Sequence, residues 1–172
     1  KLQDQLRSLS SDGHQIGLHG SFNSAIDTDL LGREKETLEK ALGMEVNKTR
    51  QHWLRFEEAV TPQIHAELFE EDATLGWNDK MGYRAGVASQ YQPYDHEAER
   101  PFNYMETPTI IMDSNIYDYG AKDVKSQSHK ALGMIEEISK LKSAHVAISW
   151  HPRVCSSDYN WHPTYEQLIK AA

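Results

Sequence analysis

Three stretches of this 172-residue chain place a histidine at or near the end of a short apolar run. They are Gly13-His14-Gln15-Ile16-Gly17-Leu18-His19-Gly20-Ser21, Arg50-Gln51-His52-Trp53-Leu54, and Ala147-Ile148-Ser149-Trp150-His151. Strand side chains alternate faces, so a strand over 15–19 sends Ile16 and Leu18 one way and Gly17 and His19 the other. In the second stretch Arg50, His52 and Leu54 fall on one face. In the third, Ala147, Ser149 and His151 oppose Val146, Ile148 and Trp150. Neutral imidazole is a ligand for divalent metals and carries a proton near neutral pH. Histidines delivered to strand ends therefore suit metal-assisted hydrolysis, and the three segments are expected to converge on one such site.

The elements that would hold these strands follow from periodicity and punctuation. Leu2, Leu6 and Leu9 predict an amphipathic helix that stops at Ser11-Asp12-Gly13. A second helix is expected over Leu30–Leu42, with Asp27 or Thr28 as N-cap and Gly43 closing it. Thr61-Pro62 opens a third, Thr as N-cap and Pro at the first helical position, with Ile64, Leu68 and Phe69 as its apolar stripe. Thr74–Trp77 reads as a short strand, and Pro108–Met112 as an apolar strand that ends at Asp113. A helix over 121–142 buries Val124, Ala131, Leu132, Ile135, Ile138 and Leu141. It leads to a strand over 145–151 and a last helix from Pro163 to Ala172. Residues 87–107 lack a period, but their tyrosines and Phe102 favour an ordered, packed loop. Strands alternating with amphipathic helices indicate an α/β domain with a parallel sheet or barrel, whose sites lie at the C-terminal strand ends. His19, Asp113 and His151 sit at such ends, and His52 near one.

Bulk composition narrows the function classes. The length fits a single domain over 1–172. A net charge of −8 without a Lys/Arg run argues against nucleic acid and anionic membrane as partners. No apolar stretch approaches the roughly 18 residues of a membrane span. Cys155 is the single cysteine, which excludes an internal disulfide and a Cys-rich zinc site. Metal ligands must then come from His, Asp, Glu or Asn, and nine histidines supply the first. The compartment stays open.

Gly13–Ser21 resembles the metal-binding motif of the polysaccharide deacetylase family, a Gly-His-Glu-Ile-Gly-x-His-Thr/Ser stretch. Arg50–Phe56 is similar to that family's Arg-containing third motif, and Ile148-Ser149-Trp150-His151 to its last motif. A less studied branch is closer still, with Arg-Gln-His-Tyr/Trp-Leu-Arg-Phe and Gly-Tyr/Phe-Arg-x-Gly segments, here Arg50–Phe56 and Gly82–Gly86. The resemblance covers most of the chain in order and implies a distorted (β/α) barrel. Two departures stand out. The family's Asp-Asp pair, one residue a base and the other a ligand, has no counterpart before the His19 strand. Because the chain begins at Lys1 inside a predicted helix, that part of the barrel is expected to lie upstream. The family's second histidine, four residues beyond the first, is Asn23 here, and His52 is expected to replace it.

What the resemblance implies is hydrolysis of an N-acetyl group on an acetylated polysaccharide or amino-sugar glycan, assisted by a divalent metal such as Zn2+. His19 and His52 would be metal ligands, with a carboxylate supplied upstream and Asn23 a weaker oxygen alternative. His151 would protonate the leaving amine, and Arg50 would orient the base carboxylate. Arg84 and Asp113 would contact sugar hydroxyls or a carboxylate, or else make a buried ion pair or turn contacts. Trp53, Trp77 and Trp150 would offer apolar sugar-facing surface, or else pack in the core. His14, His65, His96, His129, His145 and His162 are assigned to structure, surface or packing. A glycan-binding domain without turnover is the alternative, favoured by Asn23; a different metal-dependent α/β hydrolase is a third reading, by fold analogy alone.

Overall fold

The computed structural model describes residues 2–172. The chain divides into two compact units, one of Lys1–Thr74 with Tyr91–Glu106 and one of Leu75–Gln90 with Thr107–Ala172. In chain order the first unit begins with α1 (Leu2–Ser11), β1 (Leu18–Gly20) and α2 (Thr28–Leu42). It continues through β2 (Lys48–Gln51), α3 (Thr61–Leu68) and β3 (Glu71–Asp72). Its second segment adds the hairpin β4 (Tyr94–Asp95) and β5 (Arg100–Pro101), then β6 (Met105–Glu106). The second unit holds β7 (Thr109–Met112), α4 (Asp113–Tyr117), α5 (Val124–Ile138), β8 (Ala147–Ser149) and α6 (His162–Ala171).

In the first unit β1-β2-β3-β6 form a parallel sheet in that order. Parallel neighbours require crossovers, and α2 and α3 provide those between β1, β2 and β3. The α2 boundaries are local chemistry. Asp27 accepts from the Leu30 amide at 2.9 Å, and Gly43 takes φ +75° while its N–H reaches Glu39 O at 2.7 Å. The amphipathic stripe then packs Leu31 and Leu42 against Leu18, Val46, Ile64 and Phe69. In the third helix Val60, not Thr61, is the N-cap; Thr61 lies inside the helix, fully buried, and donates to Ala25 O at 2.8 Å.

The first two strands differ from expectation in extent. β1 begins only at Leu18, where pairing with Thr49 starts, so residues 15–17 stay outside the sheet. The alternation itself holds, with Leu18 and Gly20 buried and His19 exposed between them. β2 stops at Gln51, because the Gln51 amide donates to the Thr74 side chain at 3.0 Å rather than to a ladder carbonyl. Residues His52–Leu54 then form a 3-10 turn, with φ +60° at Trp53 and +48° at Leu54. His52 therefore does not share a strand face with Arg50. Left-handed backbone at two adjacent bulky residues is uncommon and costs about 1–3 kcal/mol at each.

In the second unit β7 and β8 pair in parallel, with α5 in the connection between them. Ile110, Ile111, Ile116, Ala131, Ile135, Ile138 and Leu168 make its core. α5 is shorter than the expected 121–142, preceded by a 3-10 turn at Ala121–Asp123 and capped by Asp123, which accepts from Ser126 N at 3.1 Å. Thr74–Trp77 forms no strand; Leu75 O accepts from Thr109 N at 3.2 Å. Residues 87–107 are ordered as expected, with the hairpin, β6 and a buried Tyr104. The architecture is parallel α/β. Among the described residues the parallel strands form sheets of four and two, and no closed barrel. No helix among them is long and apolar enough to cross a membrane.

Leu31 is fully buried at the centre of the first core. Leu31→Ala should lower unfolding free energy by about 2–5 kcal/mol, read as a shifted urea midpoint with little change in slope.

Candidate functional site

β1 and β2 run side by side with His19 opposite Arg50 and Gly20 opposite Gln51. The turn after Gln51 brings His52 back to His19, so that His19 Nε2 stands 3.2 Å from His52 Nδ1. The rings meet edge to face, centroids 5.3 Å apart at 69°. Both side chains are exposed at the C-terminal end of the parallel sheet. Two nitrogens bound at about 2.0–2.1 Å to a tetrahedral metal lie roughly 3.3 Å apart, so the spacing suits one edge of such a site. Among the described residues no group of three His, Cys, Asp or Glu side chains could hold a metal, so the pair fits two positions and leaves the others open. Asn23 is turned elsewhere: its Oδ1 accepts from Arg55 Nη1 at 3.3 Å. Arg55 also lies 4.5 Å from the Phe22 ring centroid and pairs with Glu57 at 2.9 Å.

Behind this pair lies a buried polar cluster. His65 and Asp72 have no exposed side-chain surface, and His65 Nδ1 stands 3.0 Å from Asp72 Oδ2, off the line of a good hydrogen bond. Gln51 Nε2 is 2.9 Å from His65 Nε2, and Ser24 Oγ donates to Gln51 Oε1 at 3.2 Å. Asp72 Oδ1 accepts from the Thr74 backbone N–H at 2.9 Å and from its hydroxyl. Burial pushes the Asp72 carboxyl up, but the His65 ring, Glu106 and Thr74 outweigh it, and the net direction is down. Arg50 belongs to the same neighbourhood. Its Nε donates to Ala73 O at 3.1 Å; burial lowers its pKa while Asp72 and Glu106 oppose that. Burial, reinforced by the negative field of Asp72 and Glu106, also raises the Tyr104 phenol well above its ordinary range, so it stays protonated.

The second unit builds a different histidine site. β7 ends at Met112 and α4 starts at Asp113, which is 1% exposed and faces the end of β8. His151 Nδ1 lies 2.9 and 3.0 Å from the two Asp113 oxygens, and the His151 backbone N–H donates to Oδ2 at 2.7 Å. The Ser114 N–H donates to Oδ1 at 2.7 Å. A carboxylate here accepts, so Nδ1 carries the ring proton and the other nitrogen is left to exchange one. The His151 side chain is 45% exposed. Asp113 turns both oxygens onto the protein. The Arg84 guanidinium sits 5.3 Å from the Trp77 ring centroid, and Nη1 donates to Gly76 O at 3.3 Å. Lys80 Nζ lies 4.6 Å from the same centroid. Of the three tryptophans, Trp53 is 62% exposed and Trp77 38%, whereas Trp150 packs against the second core and Tyr165.

No family model matches the chain, and no curated protein does. Solved structures do. The chain aligns over 98% of its length with 59% of a crystal structure assigned as a polysaccharide deacetylase from Mycobacterium smegmatis, at TM-score 0.65 and 20% identity. It aligns over 99% of its length with 57% of one so assigned from Pseudomonas aeruginosa PAO1, at TM-score 0.65 and 16% identity. The chain thus spans less than three fifths of either structure. What is shared at such identities is the fold, and the scaffold is that of the polysaccharide deacetylase structures.

By residue type and spacing His65 is expected at the surface or in packing, and neither Gln51 nor Asp72 is marked for a role. One signal for His65 was present: it stands next to Ile64 in the helix that carries the expected apolar stripe. Nothing in the spacing marked Gln51.

Because the Asp72 carboxyl titrates lower in the folded chain than in the unfolded one, its contribution is full above the unfolded value of about 4 and is lost as pH falls through the folded value. Urea midpoints measured from pH 6 to pH 2.5 should therefore drop toward the acid end. Asp72→Asn, though less stable at pH 6, should show a flatter dependence over that window.

Proposed function

We propose that the chain is the catalytic portion of a metal-dependent deacetylase that removes N-acetyl groups from a polysaccharide or amino-sugar glycan. The observation that carries this is the His19–His52 pair, with ring nitrogens 3.2 Å apart at the C-terminal strand ends of a scaffold shared with polysaccharide deacetylase structures. His19 through Nε2 and His52 through Nδ1 would hold a divalent ion, most simply Zn2+, with further ligands from a carboxylate and water. When bound, such an ion polarises the acyl carbonyl and lowers the pKa of water to about 7.

The chain's own groups do the rest. His151, its Nδ1–H directed at Asp113, would donate to the leaving amine from its other nitrogen once that nitrogen has taken up a proton. Asp113 is then a positioning residue that fixes the tautomer of His151, a role that replaces direct sugar contact. Arg50 would orient the base carboxylate, its own charge already balanced by the field of Asp72 and Glu106. Arg84 beside Trp77 is the remaining place for a sugar hydroxyl or carboxylate, and exposed Trp53 offers an apolar sugar-facing surface.

A second reading, glycan binding without turnover, draws support from Asn23, which is engaged by Arg55, and from the absence of a three-residue ligand group among the described residues. Metal analysis and acetate release from N-acetylated amino-sugar oligomers separate the two. The deacetylase reading expects stoichiometric Zn2+ that is lost in His19→Ala and in His52→Ala. Retention of metal in His52→Ala alone would remove His52 from the ligand set. His151→Ala should keep its metal and release acetate about 10²–10⁴-fold more slowly. Stoichiometric metal with no acetate released by the full-length protein would leave the binding reading in place.

A further inference from the structure

Gln51 is a polar residue without exposed surface, and the mechanism above makes no use of it. We infer that the buried Gln51 carboxamide, held by His65, is the positioning group that sets the spacing of the His19–His52 pair. The inference rests on the proposed role of that pair and adds to it a determinant that lies behind the site.

The geometry is specific. Gly20 follows His19, His52 follows Gln51, and Gly20 and Gln51 are register partners in adjacent parallel strands. A Cβ on Gly20 would stand 2.3 Å from Gln51 Oε1 and 2.9 Å from Ser24 Oγ, so the amide occupies the space that a side chain at position 20 would fill. The amide is therefore wedged against the backbone one residue beyond His19 and belongs to the residue just before His52. It cannot move away, because each of its polar ends is engaged. Oε1 shares the single Ser24 hydroxyl proton, at 3.2 Å, with Ser21 O at 2.8 Å. Nε2 meets His65 Nε2 at 2.9 Å. Since His65 Nδ1 faces Asp72, the proton belongs on Nδ1, and Nε2 is left as the acceptor that the Gln51 amide requires. The backbone N–H of Gln51 is held separately by Thr74 Oγ1 at 3.0 Å. The strained turn at Trp53 and Leu54 starts directly from this anchored residue.

An apolar residue of the same length at position 51 would keep the volume and remove both side-chain bonds. It would leave His65 Nε2 without its partner, leave Ser24 Oγ only its bond to Ser21 O, and free the strand end to shift. Outer partners that orient metal ligands typically change metal affinity by about 10–100-fold when removed. Three variants isolate this effect from loss of stability: Gln51→Met, His65→Gln, whose amide oxygen can still accept from Gln51, and His65→Leu, which cannot. Leu42→Ala, in the same core but on α2, serves as the destabilised control.

Zn2+ titration of the intact protein, read alongside the urea midpoint of each variant, should show affinity reduced at least 10-fold in Gln51→Met and His65→Leu. His65→Gln should recover most of it, and Leu42→Ala should bind as wild type. Equal affinity in Gln51→Met and Leu42→Ala would overturn the inference. If the wild-type protein binds no Zn2+, the proposed function fails, and the imidazole nitrogen resonances of His19 and His52 in metal-free protein decide the rest. Movement of both in Gln51→Met but not in Leu42→Ala upholds the positioning role; unmoved resonances reject it.

Discussion

A carboxylate without solvent contact must be met by donors where it stands, and Asp72 imposes that demand on the first unit. It sits on β3 between β2 and β6, where water cannot help. Thr74 donates from the next turn of chain, the His65 ring approaches from α3, and Arg50 contributes charge from β2. Each answer also ties down another element. Thr74 receives the Gln51 amide and ends β2, and His65 receives the Gln51 side chain. Satisfying one buried charge thus fixes where a strand stops, and the stop is what turns His52 toward His19. Such networks are worth most when complete, because each unpaired member would carry the full desolvation penalty.

The two units use the same pair of residue types to opposite ends. In both, a buried aspartate approaches a histidine Nδ1 at about the same distance, 3.0 Å for His65–Asp72 and 2.9 Å for His151–Asp113. His65 is wholly enclosed, and its second nitrogen is occupied by Gln51. His151 is 45% exposed. Tautomer and orientation are set alike in the two pairs. Access to water differs: His65 is closed to it and His151 is open to it.

Much of the scaffold was legible in the residues. The α2 boundaries were visible in Asp27 and Gly43, because caps are local chemistry. α6 and β7 fell within a residue or so of expectation, because apolar periodicity and flanking prolines are local as well. The alternation that exposes His19 between Leu18 and Gly20 was legible for the same reason. Strand lengths were not. β1 starts late and β2 stops early because a strand extends only as far as its neighbours pair with it, and those neighbours are far away in sequence.

Sequence alone determined which side chains could do chemistry: imidazoles at three strand ends, one aspartate after an apolar strand, and a cysteine count that leaves nitrogen and oxygen as ligands. Tertiary structure decided how they are used. It took His52 off the strand and set it 3.2 Å from His19, paired Asp113 with His151, and buried His65 with Asp72. The physical reason is that side-chain spacing, tautomer and burial depend on what stands across the sheet. Gln51 shows this most plainly: its role depends on a glycine, a serine and a histidine that only the folded chain brings to it.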